Sequence, residues 1–233
     1  MGDLAGTHVA RDTPARRRVK LVLRRGIATG AIPGGTRLVQ SSIADELSVS
    51  IRPVRDALRE LAAEGFVRLD GRGSAVVHEL GRAELEDLYQ IRRLLEPVTS
   101  AQAAAHASTE AILRAGELIA AMEAETDGAR WAEQNSRFHR LIDEAAGSPR
   151  MVAILANLRE LSARYVTHSV VSAPDRAHSG NDEHREILRA VIARDPVAAA
   201  DATLHHLDSR LGALFAVHQV GASRQPARRR VAH

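Results

Sequence analysis

Three histidines and one asparagine lie on mainly apolar segments and have the types and spacing of a metal site. Asn135 and His139 are four residues apart, so their side chains share one face of a helix. His184 and His206 follow on two later helical segments. Three imidazoles and one oxygen donor that converge in a helical bundle suit a divalent ion such as Zn, Ni, Mn or Fe. The alternative is that each histidine is simply hydrogen-bonded in a core, because 11 histidines make chance pairs common.

A second pattern is a row of arginines that suits nucleic acid. Arg52, Arg55 and Arg59 recur at intervals of three and four residues, so they share the helix face opposite its apolar residues. Arginine can bind guanine with two hydrogen bonds or bind a phosphate group. The alternative is a solvated face on which these arginines pair with Asp56 and Glu60 of the same helix.

The composition favours a soluble protein of one or two domains. The chain has 233 residues, of which 45% are hydrophobic and 26% are charged. It has no cysteine, which excludes disulfides, thiolate metal sites and cysteine nucleophiles. No apolar run of about 18 residues is present, and the first residues lack the apolar core of a secretory signal. We therefore expect a cytoplasmic protein that does not span a membrane.

Charge is distributed unevenly along the chain. Residues 1–78 contain 13 Lys/Arg and 8 Asp/Glu, a net charge of +5, whereas residues 79–223 contain 15 and 21, a net charge of −6. A basic front and an acidic body predict two domains with different partners.

The front of the chain has the element order of a winged helix-turn-helix. Ser41 or Ser42 is predicted to cap the second helix, and the third begins near Arg52–Pro53, directly after Ser50. Arg72 lies between two glycines at a predicted hairpin tip, from which it can approach a minor groove or the DNA backbone. The predicted elements are helices over 16–28, over 43–47 and from 52 to 65, a turn at 32–35, and strands over 66–69 and 74–78 joined by a turn at 70–73.

From residue 80 the pattern is almost purely helical. Ser148–Pro149 and Asp195–Pro196 each combine a capping residue with a proline suited to the first turn of a helix. The predicted helices are 83–106, 109–125, 128–146, 149–171, 180–194 and 196–218. We therefore expect a mainly α protein: a disordered leader over 1–13, a winged helix-turn-helix domain with a small β-hairpin wing over 14–79, an all-α bundle over 80–220, and a basic disordered tail over 221–233.

The segment from Leu38 to Val77 resembles the DNA-binding domain of the GntR family of bacterial regulators. The matching string over residues 47–67 is LSVSIRPVRDALRELAAEGFV. The family usually has Ser-Arg-Thr-Pro-Val-Arg where this chain has Ser50-Ile51-Arg52-Pro53-Val54-Arg55, so one arginine is displaced by a residue. The resemblance implies that Arg55 and Arg59 make the family's DNA contacts. The contact of the displaced family arginine is not assigned to Arg52. With these arginines, Ser41, Ser50 and Arg72 complete the predicted DNA-binding set.

Residues 83–216 resemble the FCD domain, which defines the FadR subfamily of these regulators. The matching segments are LYQIRRLLEP at 88–97, NSRFHRLIDEAAGSP at 135–149, EHREIL at 183–188 and RDPVAAA at 194–200 running on to His206-Leu207. The resemblance implies a metal held by Asn135, His139, His184 and His206, with Arg92 binding a carboxylate effector. Asparagine in place of the more usual aspartate predicts weaker metal binding and tighter anion binding. The alternative for Arg92 is an ion pair with Glu96 at i, i+4.

These features predict a DNA-binding transcriptional regulator of the repressor type. The resemblance implies a homodimer that binds a pseudo-palindromic operator and is released by a small carboxylate at the metal-containing site. One alternative is a metal-dependent enzyme that acts on small organic acids, because three histidines with an open position can activate water. Another is a DNA-binding dimer without an effector, in which the histidines are structural. The sequence does not distinguish a repressor from an activator.

Overall fold

The structure is a computed structural model and describes residues 14–70, 74–173 and 175–222. The chain divides into two compact units. Of the described residues, the first unit comprises those from 14 to 83 together with 157–164, and the second comprises those of 84–156 and 165–222. None of the described helices is long and apolar enough to cross a membrane.

The first unit is a winged helix-turn-helix, as predicted. Its helices are α1 (Ala15–Ala28), α2 (Gln40–Glu46) and α3 (Ile51–Ala63), and its strands are β1 (Arg37–Leu38), β2 (Val67–Leu69) and β3 (Ala75–Val77). The three strands form an antiparallel sheet in the order β1-β3-β2. β1 was not predicted, because a strand of two residues has no periodic pattern and depends on its pairing with β3.

Helix α3 forms because its apolar residues recur on one face. Val54, Ala57, Leu58 and Leu61 are all buried, and their spacing of three and four residues follows the helical period. The helix ends before Gly65, whose φ of +85° lies in the left-handed region that favours glycine. This amphipathic character anchors one side of α3 in the core and leaves the other side to solvent.

The start of α2 differs from the prediction. The helix begins at Gln40, its capping position is Val39, and no side chain makes the capping hydrogen bond. The prediction that Ser41 or Ser42 caps this helix is therefore wrong. Ser41 lies in the first turn and is exposed.

The described part of the second unit is helical throughout. The helices that lie wholly or mainly in this unit are α4 (Arg82–His106), α5 (Thr109–Ala124), α6 (Gly128–Ala145), α7 (Pro149–Ser172), α8 (Asp175–Ile192) and α9 (Pro196–Ala222). α8 packs against α9 and α5, and α5 packs against α6. The helices match the prediction within a few residues, except that α8 begins five residues earlier and α9 continues to Ala222.

Two local features fix the helices that carry the histidines. Asp127 caps α6 by accepting hydrogen bonds from the backbone N–H groups of Ala129 at 2.8 Å and Arg130 at 3.0 Å. In α8, Gly180 lies where a Cβ atom would come within 2.9 Å of the Arg210 guanidinium and 3.5 Å of the Trp131 ring. A larger residue at this position would require the Arg210 guanidinium to move.

Candidate functional site

The solvent face of α3 carries the predicted row of arginines. Arg52, Arg55 and Arg59 are all exposed, on the side of the helix opposite its buried residues. The connection from α2 to α3 is short and passes through Ser48, which has a φ of +52°. Helix α3 is therefore the second helix of the helix-turn-helix, the element that enters the major groove in such domains.

The acidic residue Glu60 of α3 binds basic residues of α1 instead of these arginines. Lys20 Nζ lies 2.8 Å from a Glu60 carboxylate oxygen, and Arg16 pairs with the other oxygen. Among the described residues, Arg52, Arg55 and Arg59 make no ion pair or hydrogen bond. The alternative in which the arginine row is neutralised within its own helix is therefore not realised.

The other predicted DNA-binding residues are placed as follows. Ser50 is the exposed residue that precedes α3, and its side chain makes no capping hydrogen bond. Arg72 lies outside the described residues. The sequence interpretation overlooked Arg37 and Arg68, which are both paired with Val76 across the sheet and are exposed. Their pattern was visible only once β1 was known.

The three predicted histidines meet in the second unit. His139 from α6, His184 from α8 and His206 from α9 are all buried. Their ring centroids are separated by 5.0 Å (139–184), 4.9 Å (139–206) and 4.9 Å (184–206). One ligand nitrogen from each lies within 4.8 Å of the others, which is close enough for a single metal ion to be shared.

Two of the predicted ligand residues carry buried polar atoms that lack hydrogen-bond partners among the described residues. His184 is completely buried, yet neither of its ring nitrogens has a hydrogen-bond partner among the described residues. The amide oxygen Oδ1 of Asn135, one turn before His139 on α6, is likewise buried without a hydrogen-bond partner among the described residues. Buried polar atoms without partners cost about 1–3 kcal/mol each. A divalent metal ion is the kind of partner that would satisfy three imidazoles and an amide oxygen together.

His206 is oriented by a carboxylate. Its Nδ1 lies 2.7 Å from Glu183 Oε2, with Nδ1–H as the donor when the imidazole is neutral. That bond leaves Nε2 with its lone pair, the form that a metal requires. A carboxylate behind a histidine ligand is a frequent supporting arrangement in metal sites.

The electrostatic surroundings of His184 and His206 favour their neutral forms. Burial lowers the pKa of His184 well below its usual value, and the charges of His206 and Arg210 act in the same direction. Burial also lowers the pKa of His206, against the opposing effect of its hydrogen bond with Glu183. Neutral imidazoles are the metal-binding form, so the cluster is prepared for a cation at neutral pH.

Aromatic side chains enclose the cluster. The Trp131 ring stacks on His184 with 6.1 Å between centroids, and its Nε1–H donates to Asn181 Oδ1 at 3.1 Å. Phe138 lies 4.8 Å from the His184 ring and 5.4 Å from the His139 ring. Because Trp131 is the only tryptophan of the chain, its fluorescence reports on this site.

Arg92 is buried on α4, and its ion pair is the one that the alternative interpretation foresaw. Its Nε donates to Glu96 Oε1 at 2.5 Å, and its guanidinium lies 4.5 Å from the centroid of the Tyr89 ring. One turn after Glu96, Thr99 Oγ1 donates to Asp143 Oδ1 of α6 at 2.9 Å, and Thr203 Oγ1 of α9 donates to Ser100 Oγ at 2.7 Å. This part of α4 therefore lies against the helices that carry His139 and His206.

Two charged residues near the cluster were not predicted. Glu183 supports His206, and Arg210, one turn after His206, is buried with its guanidinium 5.3 Å from the Trp131 ring centroid. Neither residue forms a recognisable motif by itself. The only available signals were the position of Glu183 next to His184 and the four-residue spacing of His206 and Arg210.

Comparisons with known proteins agree with both halves of this description. Residues 15–77 match the family described as bacterial regulatory proteins, gntR family, and residues 87–209 match the FCD domain. The probable D-xylose utilization operon transcriptional repressor of Paenarthrobacter nicotinovorans is 30% identical over 190 residues, which are 80% of this chain and 83% of that protein. The gluconate operon transcriptional repressor of Bacillus subtilis (strain 168) is 46% identical over 79 residues, 34% of this chain and 32% of that protein.

A solved structure supports the fold independently. E. coli McbR/YncC superposes with a TM-score of 0.79 at 20% identity, and the match covers 88% of this chain and 99% of that chain. With the winged helix-turn-helix, the helical second unit and the regulator relatives in place, the chain belongs to the gntR family of bacterial regulatory proteins and is a DNA-binding transcriptional regulator, not an enzyme, with an FCD effector-binding domain.

Proposed function

We propose that this protein is a cytoplasmic repressor that binds a pseudo-palindromic operator as a homodimer and releases it when a small carboxylate binds at a divalent metal ion. The observation that carries the proposal is His184, a buried histidine with two unsatisfied ring nitrogens beside His139 and His206. Core histidines that served only packing would have hydrogen-bond partners. This property also argues against the alternative of a DNA-binding dimer without an effector.

Each residue of the site has a defined role in this proposal. His139, His184, His206 and Asn135 hold the metal, and the metal ion, Zn, Ni, Mn or Fe, supplies a Lewis-acidic position for a carboxylate oxygen. Arg92 provides the complementary charge for that carboxylate. With asparagine at position 135, the site has one negative charge fewer than a site with aspartate there. This smaller negative charge favours the binding of an anionic ligand.

The DNA-binding half of the proposal assigns roles to the exposed residues of the first unit. Arg52, Arg55 and Arg59 face the major groove, with base edges and phosphates as their partners. Ser50, Ser41 and Arg72 are proposed to add backbone or minor-groove contacts. Two relatives named as operon repressors support the repressor form of the proposal.

Metal removal tests the coupling between the two sites. Operator DNA is first selected by the protein from random sequences, and its affinity is measured with the zinc-loaded and the chelator-treated protein. We expect short carboxylates (acetate, lactate and gluconate) to weaken operator binding by the zinc-loaded protein only, since Arg92 alone offers a carboxylate one anchor. Uncharged analogues of the same acids serve as controls. Equal release without the metal, or no release by any carboxylate, would refute the proposed mechanism.

The dimer is proposed to use an apolar stripe on α4. Ile91, Leu94 and Val98 lie three and four residues apart on one face of that helix, and Leu94 has 74% of its surface exposed. Exposed apolar stripes of this kind mark association surfaces.

Replacing Leu94 with aspartate should convert the dimer to monomers, because it buries a charge in each half of the contact. We expect operator affinity to fall by about 100-fold or more, since the two DNA-binding units are no longer linked. Sedimentation velocity and an operator titration measure the two effects. The matched control is Leu113→Asp on α5, where leucine is 63% exposed outside the stripe. If both variants remain dimeric, the stripe is not the interface.

A further inference from the structure

The ion pair between Arg92 and Glu96 is unusual for its burial. The two side chains are four residues apart on α4, with 5% and 1% of their surfaces exposed. In contrast, the i, i+4 pair of Arg137 and Glu133 on α6 is 63% and 54% exposed. Burying an ion pair brings little net stability, because desolvation offsets the attraction between the charges. Stability alone therefore does not account for this pair.

The geometry restricts where an anion can approach Arg92. The Tyr89 ring covers one face of the guanidinium at 4.5 Å, so a carboxylate is best held in the guanidinium plane. Glu96 already uses that plane through its 2.5 Å hydrogen bond from Nε. One turn after Glu96, α4 is hydrogen-bonded to two helices of the histidine cluster. Thr99 donates to Asp143 of α6 at 2.9 Å, and Ser100 accepts from Thr203 of α9 at 2.7 Å.

We propose that the Glu96 carboxylate is an internal stand-in for the effector: it binds Arg92 in the effector-free protein, and an incoming carboxylate displaces it. This inference rests on the proposed function of the site. It assigns Glu96 a regulatory role, since a repressor with this device responds only when the effector carboxylate outcompetes a carboxylate of its own chain. The Glu96 side chain sets the effector concentration at which the operator is released.

The stand-in role of Glu96 predicts that removing its charge has opposite effects on metal binding and on anion binding. A negative charge near the cluster favours a bound cation and disfavours a second carboxylate. Replacing Glu96 with glutamine keeps the side-chain shape and removes the charge. Glu96→Gln should therefore weaken zinc binding but strengthen the binding of acetate to the zinc-saturated protein.

The experiment titrates acetate into the zinc-saturated protein at constant ionic strength, with Trp131 fluorescence as the readout and chloride as the reference anion. We expect Glu96→Gln to bind acetate at least about tenfold more tightly than the wild-type protein does. Glu133→Gln is the matched control, because it removes an exposed i, i+4 pair, and its acetate affinity should not change. Glu96→Asp is the second variant, for the case in which Glu96→Gln fails to fold. It keeps the charge but shortens the reach to Arg92, so it should also bind acetate more tightly than the wild-type protein.

The outcomes distinguish failure of the stand-in role, of the carboxylate site and of the metal site. Weaker or unchanged acetate binding by Glu96→Gln, or by Glu96→Asp if only that variant folds, would overturn the stand-in role and make Glu96 a residue that merely orients Arg92. If neither the wild-type protein nor the variants bind acetate while zinc is bound, the carboxylate site itself fails, and the stand-in role fails with it. If the wild-type protein does not bind zinc at all, the metal site itself is refuted.

Discussion

Replacing Arg55 with alanine is expected to weaken operator binding by about 30-fold to 20,000-fold, because each base contact contributes about 1–3 kcal/mol and a two-fold dimer loses it twice. Arg55 is exposed on the solvent-facing side of α3 and has no ion-pair partner among the described residues. Its guanidinium therefore does not have to leave an acidic partner before it binds DNA. The variant should keep its fold, since the side chain contributes nothing to the core of the first unit.

The measurement is an affinity titration against the selected operator and against random DNA at several salt concentrations. A base contact by Arg55 predicts a large loss on the operator and a small loss on random DNA, whereas a phosphate contact predicts similar losses on both and a salt slope reduced by about one. Arg114→Ala is the matched control, because it removes one exposed arginine from α5 of the second unit. Equal affinities of Arg55→Ala and Arg114→Ala would exclude α3 as the recognition helix.

The elements that could be predicted are those whose pattern is local. α3 carries its own amphipathic repeat and its own terminating glycine, Gly65, and both signals lie within 15 residues of sequence. β1 carries no such pattern, because Arg37 and Leu38 become a strand only by pairing with Val76 and Ala75 nearly 40 residues later. The capping prediction for α2 was wrong for a related reason. A serine near a helix start is a frequent cap, but the helix begins at Gln40, before it.

The candidate site also contains residues that a local sequence pattern predicts and residues that only distant contacts bring together. Asn135 and His139 could be paired from spacing alone, and the resemblance to the FCD domain connected them with His184 and His206. The neighbours that complete the electrostatics were not accessible in this way. Glu183 and Arg210 acquire a role only because α8 packs against α9. Glu96 acquires one only because α4 is hydrogen-bonded to α6 and α9 one turn later. Contacts between helices that are distant in sequence have no fixed spacing to recognise.

Replacing His206 with alanine is expected to abolish metal binding and the response to carboxylates while leaving operator binding intact. The substitution removes one of three imidazoles and deprives Glu183 of its 2.7 Å partner. Loss of a supporting residue alone typically lowers metal affinity by about 10–100-fold, and loss of a ligand should exceed that range. Zinc content after dialysis of protein purified without a histidine tag should therefore fall from about one ion per chain to almost none.

His205→Ala provides a stringent comparison because it removes the neighbouring imidazole from the same helix. His205 is exposed, whereas His206 is buried, since consecutive side chains on a helix point about 100° apart. The control variant should retain zinc, the Trp131 fluorescence change on zinc addition and carboxylate-dependent release of the operator. If both variants lose zinc, the effect is not specific to the cluster. If neither loses it, the three buried histidines are structural, and the effector site must be sought elsewhere in the FCD domain.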